Sequence, residues 1–257
     1  MKAVLTCGHP DSGYRLAQEA LVSAGLAQAQ PSRRDSVAAE ALHDGIFKAH
    51  NSESFGRQLV PGQAWKDLAV DLLAANEGQE LWGWADARIA WLLDFWKSLD
   101  QGIGFVLVYS APEIAVAKML RSSAGTPENV DKAIASWMAW NMEMLRFYNR
   151  NPGRCLLVNV LAVAHAPARF VEKAAATFGS SFHPPSSSYR LEQAGISAVA
   201  SSLAKAFIEV FDEAAALYRE LESSSDLDSA AVPVAEAEKH QAWLQYSDLL
   251  AKLAGKA

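Results

Sequence analysis

The sequence lacks basic clusters, long apolar runs and all but two cysteines. Its 257 residues include 23 Lys and Arg against 29 Asp and Glu, for a formal charge of −6. This balance argues against broad nucleic-acid binding. Cys7 and Cys155 lie in apolar runs, so we expect buried, reduced thiols rather than a disulfide. No apolar run approaches the roughly 20 residues of a membrane span, and no secretory pattern opens the sequence. We therefore expect a cytoplasmic protein with no nucleic-acid partner.

The N-terminal region has the shape of an anion site but lacks the usual cation. An apolar run at residues 3–6 is followed by Gly8, Pro10 and Gly13, and then by apolar residues at helical spacing. A strand, turn and helix of this kind point backbone N–H groups and a helix dipole at one spot. The Gly-Lys-Ser/Thr ending of nucleotide triphosphatases is absent. The pattern indicates an anion-binding turn that is short of positive charge.

Two other kinds of catalytic or binding site find little support in the sequence. No Gly-x-Ser-x-Gly elbow occurs, so nothing indicates a serine hydrolase. His43 and His50 are seven residues apart on one face of a predicted helix, but no third ligand stands at a convincing spacing. We therefore predict no metal site.

Alternating apolar runs and helical patterns predict an α/β fold. Four runs, at residues 3–6, 81–84, 105–109 and 155–160, predict strands, and helical stripes cover residues 88–99, 128–149 and 168–178. The third and fourth runs are continuous, as expected for strands covered on both faces. Residues 33–76 look helical with a break at Pro61 and Gly62. The predicted architecture is three-layer α/β/α with a mainly parallel sheet.

A second, helical region is predicted at the C-terminal end. After a Ser- and Pro-rich turn at residues 180–188, helical patterns cover residues 196–221 and 234–253, joined by a Ser/Asp linker at 223–228. We predict an α/β domain at residues 1–190 and a helical extension at 191–257. The sequence leaves open whether this extension packs on its own domain or contacts a protein partner.

Four segments line up in order with motifs of one family. Residues 8–14 correspond to its Gly-x-x-Arg-Ser-Gly-Thr loop, and residues 82–88 to Trp-Gly-Trp-Lys-Asp-Pro-Arg. The run at 105–109 leads to residues 110–112, where the family has Arg-x-Pro. The last run leads to residues 159–162, where it has Tyr-Glu-Asp-Leu. Up to about Gly179 the chain therefore resembles the P-loop sulfotransferases, in particular bacterial sulfotransferase-like proteins associated with polysaccharide assembly.

The resemblance implies a fold and a reaction. The fold is that of the P-loop nucleoside triphosphate hydrolases in their sulfotransferase form, followed here by C-terminal helices. The reaction is transfer of a sulfuryl group from 3′-phosphoadenosine 5′-phosphosulfate to a hydroxyl, glycan hydroxyls included, with no metal. The motifs depart from the family at charged positions, since Asp11, Ala85 and Ser110 stand where it has Arg, Lys and Arg. A non-catalytic binding or scaffolding module, active in polysaccharide assembly, is therefore the alternative.

The resemblance also suggests site residues, and each of them has a simpler structural interpretation as well. His9 is the candidate base or a polar residue of the turn. Ser12 contacts the donor or caps the following helix. Arg15 replaces the lost cation, is simply an exposed arginine, or pairs with Asp11. Donor contacts are carried over to Gly8, Asp11, Ser12, Gly13, Tyr14, Arg15, Asp86, Arg88 and Ser110.

Three of these donor contacts lie beyond the N-terminal turn. Asp86 and Arg88 flank a predicted strand-to-helix junction, where α/β ligand sites gather, and an ordinary ion pair or helix cap explains them equally well. Ser110 either contacts a phosphate or caps the helix that follows it.

Overall fold

The fold is built on a five-stranded parallel sheet. The computed structural model describes residues 3–50, 57–122, 126–179, 181–185 and 210–228. The strands, in sheet order β2-β3-β1-β4-β5, are β1 (Ala3–Gly8), β2 (Ala27–Gln28), β3 (Trp82–Ala85), β4 (Gly104–Tyr109) and β5 (Cys155–Asn159). The α/β prediction is confirmed, and each of the four predicted strands is present. The two-residue β2 escaped prediction because it is too short to form an apolar run.

Helices flank the sheet on both faces. They are α1 (Tyr14–Ser23), α2 (Ala39–Ala49), α3 (Gln63–Ala75), α4 (Leu93–Leu99), α5 (Pro112–Ser122), α6 (Pro127–Arg150), α7 (Val160–His165), α8 (Pro167–Phe178) and α9 (Asp212–Ser224). Phe105 packs edge-on against Phe147 of α6, whereas the Thr6 hydroxyl reaches Gln18 of α1. Phe105 pairs in register with Leu5, the neighbour of Thr6, so these side chains leave opposite faces of the sheet. The architecture therefore has three layers.

Local signals explain where several helices begin and end. The predicted break lies between α2 and α3, and Gly179 closes α8 in the left-handed conformation with φ 58°. Residues 88–99 are not one helix, as the stripe predicted, but a 3₁₀ turn (Ala87–Trp91) followed by α4. The Asp86 carboxylate starts that turn by accepting the Arg88 N–H, and Leu92 leaves the helical conformation.

Aromatic side chains fill the core, and the thiols are buried within it. Trp82, Trp91, Trp96 and Trp137 are among the largest fully buried side chains. Cys7 and Cys155 are buried and form no disulfide, as the sequence predicted. Burial raises the pKa of Cys155 to about 12.

The end of the described chain pairs with the edge of the sheet. Helix α9 packs against α5 and α6, and Leu227 forms a parallel bridge with Val158. The predicted helix at 196–221 is described only from residue 210, and its helical part begins at Asp212. Residues 225–227, predicted as linker, lie beside β5 instead. The predicted helix at 234–253 and the boundary between residues 190 and 191 lie outside the described residues.

Asp226 anchors this pairing, and its removal should destabilise the fold. Its carboxylate accepts the Leu157 N–H at 2.9 Å and the Tyr148 hydroxyl at 3.1 Å. Asp226→Ala should lower the free energy of unfolding by about 2 kcal/mol, because two donors lose their acceptor. Tyr148→Phe removes one of the two bonds and should cost about 1 kcal/mol. Urea unfolding measures both, and equal losses in the two variants would contradict this assignment.

Candidate functional site

The topology brings two loops together at the carboxyl edge of the sheet. The connection after β1 leads to β2 at one edge of the sheet. The connection after β4 leads to β5 at the opposite edge. Ligands of open α/β sheets bind where neighbouring strands send their connections in opposite directions. The β1–α1 turn (residues 8–13) and Ser110, which follows β4, both lie at this point. The fold therefore places the predicted anion-binding turn where a ligand site is expected.

The β1–α1 turn is held by its own hydrogen bonds. The Ser12 N–H donates to the His9 carbonyl at 2.8 Å, and the Asp11 N–H donates to His9 Nδ1 at 3.1 Å. Gly13 has φ 77° and leads into α1. A Cβ on Gly8 would lie 2.3 Å from the Val108 carbonyl oxygen, so the close approach of β1 and β4 requires glycine. Two of the turn's N–H groups are thus used within it.

His9 is a buried, neutral side chain that joins the turn to α6. Because Nδ1 accepts the Asp11 N–H, we assign the ring proton to Nε2, which donates to Ser136 Oγ at 3.2 Å. The Trp140 ring packs edge-on against the imidazole with 5.9 Å between centroids. Burial lowers the pKa of His9 to about 4, against an opposing effect of Asp11. Both ring nitrogens are therefore engaged, and the predicted role as a base stays a prediction.

Lys118 supplies a cation to the turn that the sequence did not reveal. Its Nζ donates to the Asp11 carbonyl at 2.9 Å and lies 3.5 Å from Asp11 Oδ1. Lys118 is on α5, 107 positions from Asp11, so no local spacing links the two. The sequence signal that could have indicated this cation is that Lys118 lies on α5, the helix after β4. β4 is the strand next to β1 in the sheet. Asp11 pairs with this lysine rather than with Arg15.

Ser12, Tyr14 and Arg15, at the end of the β1–α1 turn and the start of α1, differ in their environments. Ser12 does not cap α1, since Gly13 takes that position with no side-chain cap. Its Oγ is buried with no hydrogen-bond partner in the described part of the chain. Tyr14 is buried, and burial raises the pKa of its hydroxyl. The exposed Arg15 lies over the Tyr14 ring, 5.6 Å from its centroid.

Asp86 and Arg88 form an ion pair, and the Asp86 carboxylate also contacts the buried His43. Arg88 Nη2 lies 2.7 Å from Asp86 Oδ2, and Arg88 Nη1 also pairs with Asp44. His43 Nδ1 lies 2.8 Å from Asp86 Oδ2, while the Trp96 indole N–H donates to His43 Nε2 at 3.1 Å. His43 therefore carries its proton on Nδ1 and donates it to the carboxylate.

The charge of Asp86 is stabilised by these partners. Burial alone would raise the pKa of Asp86, but hydrogen bonds from His43 and Arg88 outweigh burial and hold that pKa well below its usual range. The two simpler interpretations of Asp86 and Arg88, an ion pair and a helix cap, are both correct. Asp86 pairs with Arg88, and the same carboxylate caps the 3₁₀ turn by accepting the Arg88 N–H. Contact with a donor stays a prediction for both residues.

Two further strand ends carry polar groups. Ser110 is buried, and its carbonyl accepts the Trp137 indole N–H at 3.0 Å. Asn159 caps α7 and donates through Nδ2 to Glu222 Oε1 at 2.7 Å. Glu222 belongs to α9, so a carboxylate from the C-terminal segment reaches the end of β5, where residues 159–162 of this chain contain no acidic residue. Only the three-dimensional packing reveals this neighbour.

Two kinds of feature are absent among the residues that the structure describes. No three His, Cys, Asp or Glu side chains there are grouped so that they could hold a metal ion. No helix in those ranges is both long and apolar enough to cross a membrane.

Comparison with known proteins identifies the fold. No protein-family model matches the chain, and neither does any curated protein sequence. The structure is similar to the sulfotransferase from Alicyclobacillus acidocaldarius, with TM-score 0.56 and 13% identity over 88% of this chain and 97% of that one. It is also similar to the sulfotransferase domain of the Synechococcus PCC 7002 olefin synthase, with TM-score 0.50 and 16% identity over 81% of this chain and 94% of that one. The protein therefore has a sulfotransferase-like fold.

Proposed function

We propose that this protein transfers a sulfuryl group from a phosphosulfate donor, of the 3′-phosphoadenosine 5′-phosphosulfate class, to a hydroxyl group. Glycan hydroxyls are the acceptor class that the sequence resemblance suggests. The observation that carries the proposal is the β1–α1 turn, which follows the central strand and contains the buried, unpartnered Ser12 Oγ. Similarity to sulfotransferases of known structure supports the fold on which it rests.

The residues present fit an anionic group at this turn. The N–H groups of Tyr14 and Arg15 open α1 and have no acceptor within the helix, so they and the helix dipole favour an anion. Ser12 Oγ adds a hydroxyl donor, and Lys118 adds a positive charge from α5. When bound, the donor supplies an activated sulfuryl group. Lys118 would stabilise the charge that develops on the departing phosphate oxygen.

In the same proposal, His9 acts as a positioning residue. Its neutral ring holds the Asp11 N–H and reaches Ser136, which fixes the turn against α6. To accept a proton from the acceptor hydroxyl, Nδ1 would first have to release that N–H. The buried, unbridged thiols of Cys7 and Cys155 fit the reducing, cytoplasmic location that we also propose.

Removing the charge of Lys118 should weaken donor binding. In calorimetric titrations with 3′-phosphoadenosine 5′-phosphosulfate, Lys118→Gln should raise the dissociation constant about 10- to 100-fold, the value of one charge-assisted hydrogen bond. Lys132→Gln is the matched control, because Lys132 is an exposed lysine paired with Glu128 on α6. It should bind like the wild type. An unchanged constant in Lys118→Gln, or no binding by the wild type, would contradict the proposal.

A non-catalytic binding module is the second candidate function. The observations behind it are the internal use of two turn N–H groups and the pairing of Arg88 with two carboxylates. Incubation with sulfur-labelled donor and a panel of glycans separates the candidates. Label on a glycan indicates transfer, whereas donor binding without labelling indicates a binding or scaffolding role. A protein partner for the C-terminal helices belongs to this second proposal.

A further inference from the structure

The His9 imidazole connects the β1–α1 turn to helix α6 through both of its nitrogens. Nδ1 accepts the Asp11 N–H at 3.1 Å, and Nε2 lies 3.2 Å from Ser136 Oγ. Trp140, one helical turn further along α6, packs edge-on against the same ring. A neutral imidazole has one N–H and one acceptor nitrogen, so both contacts form together only when Nε2 carries the proton. Ser136 Oγ is therefore the acceptor of the His9 N–H.

The tautomer of His9 decides whether the turn keeps its shape. With the proton on Nδ1, the ring N–H and the Asp11 N–H would face each other, and the Asp11 N–H would lose its acceptor. The carbonyl of the same residue accepts Lys118 Nζ at 2.9 Å. A change in the Asp11 backbone would therefore also move the acceptor that holds the Lys118 ammonium. Three hydrogen bonds in series thus link Ser136 to the cation of the turn.

The hydroxyl of Ser136 is the part of the side chain that this series needs. An apolar side chain at position 136 would leave the His9 N–H without its acceptor, and His9 is only 5% exposed to water. A buried donor without an acceptor is unfavourable, which promotes rotation of the ring or transfer of its proton to Nδ1. The hydrogen bond made at one ring nitrogen sets which nitrogen carries the proton.

We propose that Ser136 is a positioning residue of the anion site. By accepting the Nε2 proton of His9 in a hydrogen bond, it selects the tautomer that holds Asp11 and thereby sets the position of Lys118. This inference rests on the proposed function, because that function makes the β1–α1 turn and Lys118 the place where the sulfuryl donor binds. It adds a residue of α6 that acts on donor binding through the turn.

The first test needs no ligand. Nitrogen-15 NMR of the imidazoles at neutral pH distinguishes the two tautomers, and the spectrum of His9→Gln assigns the His9 signals. The wild type should show the Nε2-protonated form, whereas Ser136→Ala should also populate the Nδ1-protonated form. Hydrogen exchange of the Asp11 amide should be about tenfold faster in Ser136→Ala, because this N–H loses its acceptor in part of the molecules. Ser136→Thr keeps a hydroxyl and should restore both signals.

The second test titrates 3′-phosphoadenosine 5′-phosphosulfate into the same proteins by calorimetry. Ser136→Ala should raise the dissociation constant about fivefold, the effect of one neutral hydrogen bond, and Ser136→Thr should bind like the wild type. Ser23→Ala is the matched control. Ser23 is a half-buried helical serine at the far end of α1, where its hydroxyl donates to the Ala20 carbonyl. This control should leave the tautomer, the amide exchange and the dissociation constant unchanged.

The outcomes separate this inference from the function on which it rests. An unchanged tautomer and amide exchange in Ser136→Ala would overturn the role of Ser136 and leave the turn as the donor site. A changed tautomer with an unchanged dissociation constant would overturn it as well, because the ring would then not control the cation. Failure of the wild type to bind the donor would contradict the proposed function, and the ligand-free test would still decide whether Ser136 sets the His9 tautomer.

Discussion

Lowering the pH from 7 to 4 should destabilise the folded protein by about 3 kcal/mol through His9. Its pKa falls from the ordinary 6.5 to about 4 on folding, chiefly because the ring is buried. Below pH 6.5 the unfolded chain binds a proton at this residue that the folded protein does not bind. The stability that neutral His9 provides is therefore complete above pH 6.5 and is lost as the pH falls toward 4. A pKa difference of this size corresponds to about 3 kcal/mol.

Urea unfolding at several pH values between 7 and 4 measures this loss. His9→Gln has no group that titrates in that range, so its unfolding free energy should fall by about 3 kcal/mol less than that of the wild type. The variant need not match the wild type at pH 7, since only the slope is compared. His183→Gln is the control, because His183 is exposed and should keep the wild-type slope. Parallel slopes in the wild type and His9→Gln would refute the assignment.

The sequence predicts the strands well where local pattern determines them. β1, β4 and β5 are apolar runs buried along their whole length, and such runs are recognisable without knowledge of the neighbours. β2 has two residues, one partly buried and one exposed, so its pairing with β3 leaves no trace in the pattern. The apolar spacing in the 3₁₀ turn at Ala87–Trp91 is the same as that of an α-helix, so the sequence pattern does not distinguish the two. Leu92, which leaves the helical conformation with φ −126°, separates this turn from α4.

The position of the candidate site was predictable, but its partners were not. The glycines around the β1–α1 turn locate it from a few adjacent residues. The groups that set its charge lie far away in sequence, since Lys118 is 107 positions from Asp11 and Glu222 is 63 from Asn159. These contacts depend on how helices dock across the sheet, which local periodicity does not encode. Asp11 alone therefore suggests a damaged anion site, whereas the structure shows a carboxylate with a partner.

Two polar networks lie at the carboxyl edge of the sheet. The first joins His9 and Asp11 to α5 and α6, and the second joins Asp86 to His43 of α2. Tyr14 is buried and starts α1 directly after the turn. A substitution at Asp86 would disturb the second network. The cost of such a disturbance can be measured.

Asp86→Ala should lower the free energy of unfolding by about 3–5 kcal/mol, because it leaves the buried His43 N–H and the Arg88 guanidinium without their shared acceptor. Asp86→Asn keeps one acceptor oxygen and should cost less. Asp44→Ala is the matched control, since its side chain is 58% exposed and its pairing with Arg88 should be worth under about 1 kcal/mol.

The pH dependence separates Asp86 from His9. The pKa of Asp86 is depressed on folding, so its contribution is complete above the ordinary value of 3.8 and is lost only as the pH falls below it. The His9 contribution is lost between pH 6.5 and about 4. Asp86→Ala should therefore keep the wild-type slope above pH 4 and flatten the curve below it. Equal losses in Asp86→Ala and Asp44→Ala would show that the exposed pair with Asp44, not the buried network, holds Arg88 in place.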